Sequence, residues 1–504
     1  MAIVQGTDLD DILVGTPEDD ELLGLGGDDT LQASAGSDRL NGGAGRDTAD
    51  YLTTWGDNPN IPATDKRLIF RVGQQQILKS VGGVAAVDQL QDIESILATR
   101  SQPDFPNIID ATDLPGDASI DVEFEGFESA RQLVVKTPTG ELASYYPVNF
   151  QDVRATNNGD RIRGNSSNNQ LWGRGGDDWF TDSEGNDRIE GGDGTDTLRY
   201  FGSEPITLQL AIRPTLVQSD LDPTVQRRVG VSFIQDSGGG NEITQIERII
   251  APLDVNNRID ASKLASVRGG QLTADLEAQS VSISSDLFDT LQFTVENFVD
   301  VTGTVRADQI SGDSADNLLE GKEGLDTLLG RDGNDRLIGG GNLEISISGN
   351  PEILNGGRGN DILQGAVAQG FNFRERDDLT GGSGADTFIL GNRRNGSFYK
   401  SPSGQERERD FAKITDLQSR DTIQLASTET YVIQLRKSGF ALSVIVNNAQ
   451  GQPEQDLIAQ VEYARPGLAK KFTRFVDALS PQATTATFQI TAGEELAADI
   501  LLGS

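Results

Sequence analysis

GGDGTDTLR (191–199) decides the fold: glycines fill its first, second and fourth places, an aspartate its sixth and a large apolar residue its eighth. Close copies are GGAGRDTAD (42–50), GRDGNDRLI (330–338), GGRGNDILQ (356–364) and GGSGADTFI (381–389). Looser copies fill three stretches of the chain in nine-residue phase. Such a fixed period predicts a stacked repeat architecture.

The sixth place of the repeat is the candidate metal-ligating place, because it holds an aspartate or asparagine throughout. A large apolar residue follows two places later in nearly every copy, as Leu13 follows Asp11. The candidate ligands are Asp11, Asp20, Asp29, Asp38, Asp47, Asp160, Asn169, Asp178, Asp187, Asp196, Asp308, Asn317, Asp326, Asp335, Asp361, Asp377 and Asp386.

Each nonapeptide has a direct physical interpretation. Six residues form a turn whose glycines reach backbone angles that other residues avoid, and three form a short strand with its middle side chain inward. Two nonapeptides then complete one coil, so the aspartates of repeats n and n+2 stack about 4.8 Å apart. Stacked carboxylates repel one another. A hard divalent cation, held also by backbone carbonyl oxygens of the turns, would turn that repulsion into cohesion.

The nonapeptides resemble the RTX, or haemolysin-type, calcium-binding repeat. The resemblance implies an all-β fold of parallel β-roll or β-solenoid blocks with calcium-binding turns, interleaved β-rich segments and a β-rich C-terminal module. It implies Ca²⁺ as the cofactor. If one cation bridges repeats n and n+2, the three blocks together offer roughly ten sites. The first repeats of each block are degraded, with Leu9 and Glu18 in the fourth place, two residues before the aspartate, where the close copies have glycine. They are either edge coils with half-formed cation sites or drifted spacers.

The composition limits the possible binding partners and the ways in which the fold can be stabilised. The formal charge is −36, carried by residues 1–391, and the chain has no His and no Cys. Bound cations would offset part of this charge, so metal binding should be coupled to folding. Without cysteine, disulfides cannot stabilise the fold. A chain with this much negative charge is not expected to bind nucleic acid. No apolar run approaches the roughly 20 residues of a transmembrane helix.

The expected location is outside the cell or at its surface. No signal peptide is visible, because MAIVQGTDLDDILVG (1–15) enters the repeats at once. Cytosolic calcium is too scarce for extracellular-type modules, which bind at about 10⁻⁴–10⁻³ M. The RTX resemblance implies type I secretion of the unfolded chain through an uncleaved C-terminal signal. The aliphatic, acidic tail 486–504 is compatible with such a signal.

A larger duplication organises the chain, since DQLQDIESIL (88–97) matches NEITQIERII (241–250). The segments between rolls alternate apolar and polar residues, as strands do. They either continue the solenoid as wider coils or form separate small β-sandwiches. The predicted divisions are roll one (1–50), segment A (51–154), roll two (155–200), segment B (201–302), the interrupted roll three (303–391) and the C-terminal module (392–504).

The C-terminal module should contain further strands. FAKITDLQSRDTIQLAS (411–427) resembles the segment that closes many RTX rolls. Residues 431–446 predict a hairpin, 456–463 a strand and 467–479 a short amphipathic helix. Residues 384–463 resemble the terminal module of RTX proteins common in cyanobacteria.

The sequence predicts no enzyme. Without His or Cys, the Ser-His-Asp relay, the HExxH zinc site and thiol catalysis are excluded in their usual forms. Hydrolysis of a polysaccharide by two carboxylates, as in glycosidases, is not excluded by these absences and is the least favoured function. Trp172 and Trp179 are candidates for stacking on sugar rings, although surface or core filling is the favoured role. Arg393, Arg394 and 405–410 are either a basic docking face or a self-paired loop.

We therefore expect a secreted, calcium-binding structural protein of a matrix, surface layer, sheath or filament. No cap precedes residue 6, and an open solenoid end favours head-to-tail association with further copies of the chain. The alternative is a monomeric surface adhesin or carbohydrate-binding protein, with cell-surface polysaccharide as its partner.

Overall fold

The structure is a computed structural model of the 504-residue chain. Its description covers residues 1–52, 67–81, 84–99, 106–124, 132–215, 228–236, 239–266, 270–285, 288–341, 351–366, 376–392, 396–399, 410–418, 420–426, 429–435, 439–447, 451–463, 485–489 and 495–497.

These residues form two compact units, 1–206 with 213–252 and 207–212 with 253–504. Both units are built of strands. Among the described residues, helical structure is limited to a 3₁₀ helix, Ser262–Ser266, and to Leu52. None of the described residues forms a helix long and apolar enough to cross a bilayer. The predicted all-β class is confirmed.

Strands of three to six residues build rolls one and two, and longer strands occur between them. In chain order they are β1 (Ile3–Gln5), β2 (Ile12–Val14), β3 (Glu21–Gly26), β4 (Thr30–Gln32), β5 (Arg39–Ala44), β6 (Thr48–Asp50), β7 (Arg67–Arg71), β8 (Gln76–Val81), β9 (Val84–Gln91), β10 (Ser95–Leu97), β11 (Ile108–Asp110), β12 (Ser119–Glu123), β13 (Leu133–Thr137), β14 (Gly140–Val148), β15 (Asp152–Arg154), β16 (Arg161–Arg163), β17 (Gln170–Gly175), β18 (Trp179–Thr181), β19 (Arg188–Asp193) and β20 (Thr197–Arg199).

The later strands follow the same order of short roll strands and longer intervening ones. They are β21 (Thr207–Thr215), β22 (Arg228–Asp236), β23 (Gly239–Thr244), β24 (Arg248–Ile250), β25 (Asn257–Asp260), β26 (Gln271–Asp275), β27 (Ser280–Ser285), β28 (Phe288–Glu296), β29 (Phe298–Thr302), β30 (Gln309–Ser311), β31 (Leu318–Lys322), β32 (Thr327–Asp332), β33 (Arg336–Gly340), β34 (Glu352–Arg358), β35 (Ile362–Ala366), β36 (Arg376–Ser383), β37 (Thr387–Ile389), β38 (Gly391–Asn392), β39 (Gly396–Ser397), β40 (Phe411–Leu417), β41 (Thr422–Gln424), β42 (Thr430–Leu435), β43 (Gly439–Asn447), β44 (Pro453–Tyr463), β45 (Thr485–Gln489) and β46 (Glu495–Ala497).

Roll one consists of two parallel ladders, β1–β3–β5 and β2–β4–β6. Glu21 lies opposite Arg39, and Thr30 lies opposite Thr48. Paired residues are 18 apart in sequence, so two nonapeptides complete one coil as predicted. The apolar residue of each repeat points inward: Leu22, Leu31 and Ala49 have no exposed surface. Burying each leucine contributes about 1.5–3 kcal/mol.

Segment A continues both ladders. β9 runs parallel beside β5, and β10 runs parallel beside β6, with Gln89 opposite Arg39 and Ser95 opposite Thr48. Two antiparallel meanders, β7–β8–β9 and β12–β13–β14, widen the coils. Parallel pairings of β11 with β15 and of β12 with β16 then lead into roll two. Of the two alternatives for this segment, the pairings show wide solenoid coils.

The second unit contains roll three, again as two parallel ladders. One runs β25–β29–β31–β33–β35–β37–β41, and the other runs β26–β30–β32–β34–β36–β40. Leu328 lies opposite Leu354, and Leu354 lies opposite Leu379. All three are fully buried. The apolar residues of roll three therefore still face inward and lie opposite one another, although the repeats of this roll are irregularly spaced.

The C-terminal module adds antiparallel strands to the second unit. β42 and β43 form the hairpin predicted for residues 431–446, and β44 pairs with both β43 and β40. The strand predicted for residues 456–463 lies within β44. The helix predicted for 467–479 lies outside the described residues, as do Arg393, Arg394 and residues 405–409.

Candidate metal sites

The aspartates of roll one form hydrogen-bonded columns. The backbone N–H of Asp11 donates to Oδ1 of Asp29 at 2.8 Å, and that of Asp29 donates to Oδ1 of Asp47 at 2.8 Å. In the second column, the N–H of Asp20 donates to Oδ1 of Asp38 at 3.0 Å. Rolls two and three repeat these contacts. The predicted alignment of repeats n and n+2 is therefore confirmed, and it occupies one oxygen of each carboxylate that accepts such an N–H.

The turns are of two kinds, closed and open, which differ in the hydrogen bonding of the side chain at the sixth place. In the closed turns, a Thr, Ser, Asn or Asp four places earlier hydrogen-bonds to the side chain of the sixth place. The N–H and the hydroxyl of Thr16, for example, both donate to Oδ2 of Asp20 at 2.6 Å. Closed turns contain Asp11, Asp20, Asp38, Asp160, Asn169, Asp187, Asp308 and Asn317.

In the open turns, Oδ2 is buried and accepts no hydrogen bond. The residue four places earlier is Gly, Leu, Arg or Lys in the left-handed region, with φ of 80° at Leu25 and 78° at Arg174. Such angles cost a non-glycine residue about 1–3 kcal/mol, and they concentrate at functional sites. Open turns contain Asp29, Asp47, Asp178, Asp196, Asp326, Asp335, Asp361 and Asp386.

A glycine five places before the aspartate leaves space in each open turn. A Cβ built on Gly24 would collide both with Oδ2 of Asp29 and with the carbonyl oxygen of Gly42, one coil further on. Gly173 in roll two has the same surroundings. A carboxylate oxygen and a carbonyl oxygen thus border the same space, which a larger residue would fill.

These surroundings fit calcium. Ca²⁺ takes about six to eight oxygen ligands from carboxylates and backbone carbonyls. No three acidic side chains converge on one point in the described part of the chain. Each open turn therefore offers a carboxylate such as that of Asp29, and backbone carbonyl oxygens would have to supply most of the remaining ligands.

Burial raises the proton affinity of several aspartates in these turns. Burial raises the pKa of Asp178 to about 8 and that of Asp335 to about 7, and neighbouring carboxylates add to both shifts. In the closed turns, burial raises the pKa of Asp160 to about 6, whereas the hydroxyl of Thr16 lowers the pKa of Asp20. A cation beside an open carboxylate would favour its charged form, which burial alone disfavours.

Five side chains continue the columns where the nonapeptide phase ends, and sequence reasoning missed them. Each accepts the backbone N–H of an aspartate in the preceding coil, at 2.8–3.1 Å. An apolar residue two places later, such as Leu90 after Asp88, was the signal that could have found them. They are Asp88, Glu94, Asn241, Glu247 and Asp421.

Asp377 belongs to neither kind of turn. Its Oδ2 accepts a hydrogen bond from the hydroxyl of Tyr399, and the residue lies opposite Glu352. Burial raises the pKa of Asp377 to about 7. Glu352 occupies the aspartate place of its coil, because the N–H of the next residue donates to the carbonyl oxygen of Asp326 at 2.8 Å. The nonapeptide pattern did not predict this glutamate.

The two tryptophans of roll two are half-buried. The guanidinium carbon of Arg154 lies 5.6 Å from the ring centroid of Trp172. Trp179 lines a cavity of about 580 Å³ together with Phe201 and Arg161. Trp179 therefore borders a space that could receive a ligand.

Comparison with known families agrees with the turn geometry. The family model described as RTX calcium-binding nonapeptide repeat (4 copies) matches residues 5–40, 14–49, 154–181, 175–200, 307–342, 348–366 and 374–392. These turns are RTX repeats. All of the open turns lie within the matched residues, which are calcium-binding repeats.

Two further comparisons add no functional assignment. The crystal structure of extracellular lipase LipA from Serratia marcescens aligns at 17% identity, with a TM-score of 0.17, over 72% of this RTX chain. The alignment spans 43% of the lipase chain, so the RTX chain covers less than half of that protein. No curated protein matches significantly.

Proposed function

We propose that this chain is a secreted structural protein that folds on binding calcium outside the cell and then assembles into an extracellular matrix, sheath, layer or filament. The observation that carries the proposal is the set of open turns, whose buried Oδ2 atoms accept no hydrogen bond. Burying an ionised oxygen without a partner costs several kcal/mol. Bound cations would remove that cost in every open turn at once.

Calcium concentration then provides the switch between states. Extracellular-type modules bind calcium at about 10⁻⁴–10⁻³ M, far above cytosolic levels. With a net charge of −36, the metal-free chain is expected to be expanded by self-repulsion. The chain would therefore remain unfolded in the producing cell and fold after export.

Circular dichroism with size-exclusion chromatography tests this switch. We expect the compact β signal to appear on adding millimolar calcium to the metal-free chain. Equal magnesium should not replace it, because Mg²⁺ demands near-ideal octahedral geometry and dehydrates reluctantly. A compact β-structured chain after complete calcium removal at pH 8 would contradict the proposal.

Assembly is supported by the first coil of roll one. Ile3, Leu9 and Ile12 are 64%, 74% and 70% exposed. Among the described strands, β1 and β2 each pair with one neighbour only. Exposed apolar edge strands are templates for pairing with another chain. A second copy of this chain is the partner that the proposal assigns to this edge.

Light scattering at millimolar calcium tests the assembly step. The wild type should form particles larger than a monomer, and Ile12→Lys should suppress them. Ile353→Lys, at a side chain that is 41% exposed in roll three, is the matched control and should assemble normally. A wild type that stays monomeric would contradict assembly while leaving calcium-dependent folding intact.

A monomeric carbohydrate-binding role is the second candidate, favoured by the cavity beside Trp179. An aromatic ring, the exposed Phe201, the guanidinium of Arg161 and the carboxylates of Asp121 and Glu123 border it. Aromatic faces stack on sugar rings, and the charged groups can hydrogen-bond to hydroxyls.

Polysaccharide pull-down separates this candidate from the first. Retention of a calcium-loaded monomer that Trp179→Ala abolishes would favour the adhesin. Trp172→Ala is the control, since that ring faces Arg154 rather than the cavity. Release of reducing sugar from the bound polysaccharide would indicate a carboxylate-based hydrolase instead.

A further inference from the structure

Glu94 takes the place of an aspartate in the coil that follows roll one. The N–H of Asp47 donates to Oε2 of Glu94 at 2.8 Å, as the N–H of Asp29 donates to Asp47 one coil earlier. In return, the N–H groups of Glu94 and Ser95 donate to the carbonyl oxygen of Asp47. Ser95 lies opposite Thr48, so Glu94 stacks directly on Asp47. This residue lies beyond the residues that the nonapeptide family model matches.

Roll two ends in the same way. The N–H of Asp196 donates to Oε2 of Glu247 at 2.8 Å, and the N–H groups of Glu247 and Arg248 donate to the carbonyl oxygen of Asp196. The arrangement is thus present twice, at equivalent places of the duplicated segments A and B.

Each of these glutamates follows, one coil later, an aspartate whose second carboxylate oxygen is buried without a hydrogen-bond partner. Asp47 and Asp196 have no exposed surface, and their Oδ2 atoms accept no hydrogen bond. Both are open turns, which in the rest of each roll border carbonyl oxygens of the next coil. A regular closing coil would need to supply the same kind of oxygen.

The backbone of the duplicated segments supplies it. A Cβ built on Gly42 would collide with Oδ2 of Asp47 and with the carbonyl oxygen of Asp92. Asp92 has a φ of 48°, in the left-handed region. Gln245, with a φ of 53°, directs its carbonyl oxygen in the same way at the corresponding glycine of roll two. These two residues reproduce a turn without the glycine-rich sequence of the repeats.

We propose that Glu94 and Glu247 each complete a calcium site that closes rolls one and two. The ligands from the roll are Oδ2 of Asp47 and of Asp196, and the closing coil adds the glutamate carboxylate and the carbonyl oxygen of Asp92 or Gln245. This inference rests on the proposed calcium-dependent folding and extends it to residues outside the nonapeptides.

The other column of each closing coil is occupied differently. Asp38 and Asp88 share the buried ammonium of Lys79, and the equivalent acceptor of roll two is the neutral Asn241. Neither arrangement leaves an uncompensated pair of carboxylates. Calcium is therefore assigned to one column only at the end of each roll.

Calcium titration of the full chain by calorimetry tests the assignment. We expect Glu94→Gln and Glu247→Gln each to bind one ion fewer than the wild type, or one ion at least tenfold more weakly, and the double variant to lose both. Glutamine keeps the length of the side chain and a hydrogen-bond acceptor for the aspartate N–H. Glu184→Gln, at an exposed residue in a turn of roll two, removes the same charge and should titrate as the wild type.

Unchanged calcium number and affinity in the double variant would overturn the inference while leaving the proposed function standing. A wild type that binds no calcium would overturn both. If the glutamine variants do not fold at any calcium concentration, anomalous X-ray scattering from wild-type crystals grown in calcium decides. A calcium peak bonded to Asp47 and Glu94 is expected, and peaks in the other open turns with none there would refute the site.

Discussion

The ammonium nitrogen of Lys79 lies 2.6 Å from Oδ1 of Asp88 and 3.3 Å from Oδ2 of Asp38, and the lysine is only 1% exposed. It also donates to the carbonyl oxygen of Ser34 at 2.7 Å. A side-chain cation thus lies between two stacked carboxylates one coil apart. Burial nevertheless raises the pKa of Asp88 to about 6, against the effect of the lysine. This coil thus has a side-chain cation of its own.

Removing that ammonium should destabilise the first unit strongly. Lys79→Met would leave two buried carboxylates without a counter-charge, which costs about 3–5 kcal/mol. Urea unfolding in saturating calcium should show the loss. Lys136→Met, which removes a half-exposed lysine paired with Asp121, is the control and should cost at most about 1 kcal/mol. Equal stability of the two variants would contradict the role of Lys79.

The open and closed turns should differ in calcium number. Asp29→Asn and Asp178→Asn remove carboxylates whose Oδ2 accepts no hydrogen bond, so each should lower the number of bound ions by one or more. Asp20→Asn is the matched closed-turn variant, in which Thr16 already satisfies the oxygen. It should keep the wild-type number in the same calorimetric titration. Equal losses in all three variants would show that hydrogen bonding does not select the sites.

The glycine five places before an open aspartate should tolerate no side chain. Gly24→Ala and Gly173→Ala place a methyl group against the carboxylate and carbonyl oxygens of the site. Each should cost about 1–3 kcal/mol and weaken calcium binding. Gly116→Ala, where a Cβ meets nothing within 4 Å, should change neither quantity. Thermal unfolding with and without added calcium measures both effects.

The calcium-free chain should lose stability as the pH rises. The folded-state pKa values of Asp178, about 8, and Asp335, about 7, exceed the ordinary aspartate value near 4. The folded chain therefore binds more protons than the unfolded chain, and its unfolding free energy falls between about pH 4 and pH 8. Circular dichroism in metal-free buffers should show more β structure at pH 5 than at pH 8.

Calcium should reverse this dependence, because protons and calcium compete for the same carboxylates. In millimolar calcium, stability should rise over the same pH range. The double variant Asp178→Asn/Asp335→Asn should flatten both slopes. A metal-free chain whose β content is greater at pH 8 would contradict the assigned protonation.

Much of the fold follows from residues close together in sequence. The coil of two nonapeptides, the inward leucines and the stacking of Asp29 on Asp47 depend on a nine-residue phase that is visible without a structure. Even the division into closed and open turns has a local signal. Thr16 donates its N–H and hydroxyl to an aspartate four places later, whereas Leu25 adopts a left-handed conformation and leaves the oxygen of Asp29 unpartnered.

The ends of the rolls have no such local signal. Lys79 reaches Asp38 across 41 residues, and Glu94 meets Asp47 across 47. Which residue arrives beside an aspartate there depends on how β7, β8 and β9 turn back on one another. Secretion, assembly and the partner remain predictions, since none of them depends on contacts within a single chain.

The amino-acid sequence by itself determined the repeating coil and its acidic columns, because a strict period places like residues above one another wherever it continues. The tertiary structure alone decided which residues close the acidic columns at the ends of the rolls and which of these columns receives the side-chain cation of Lys79. Hydrogen-bond geometry and long-range loop closure set those two properties, and neither is encoded in the period.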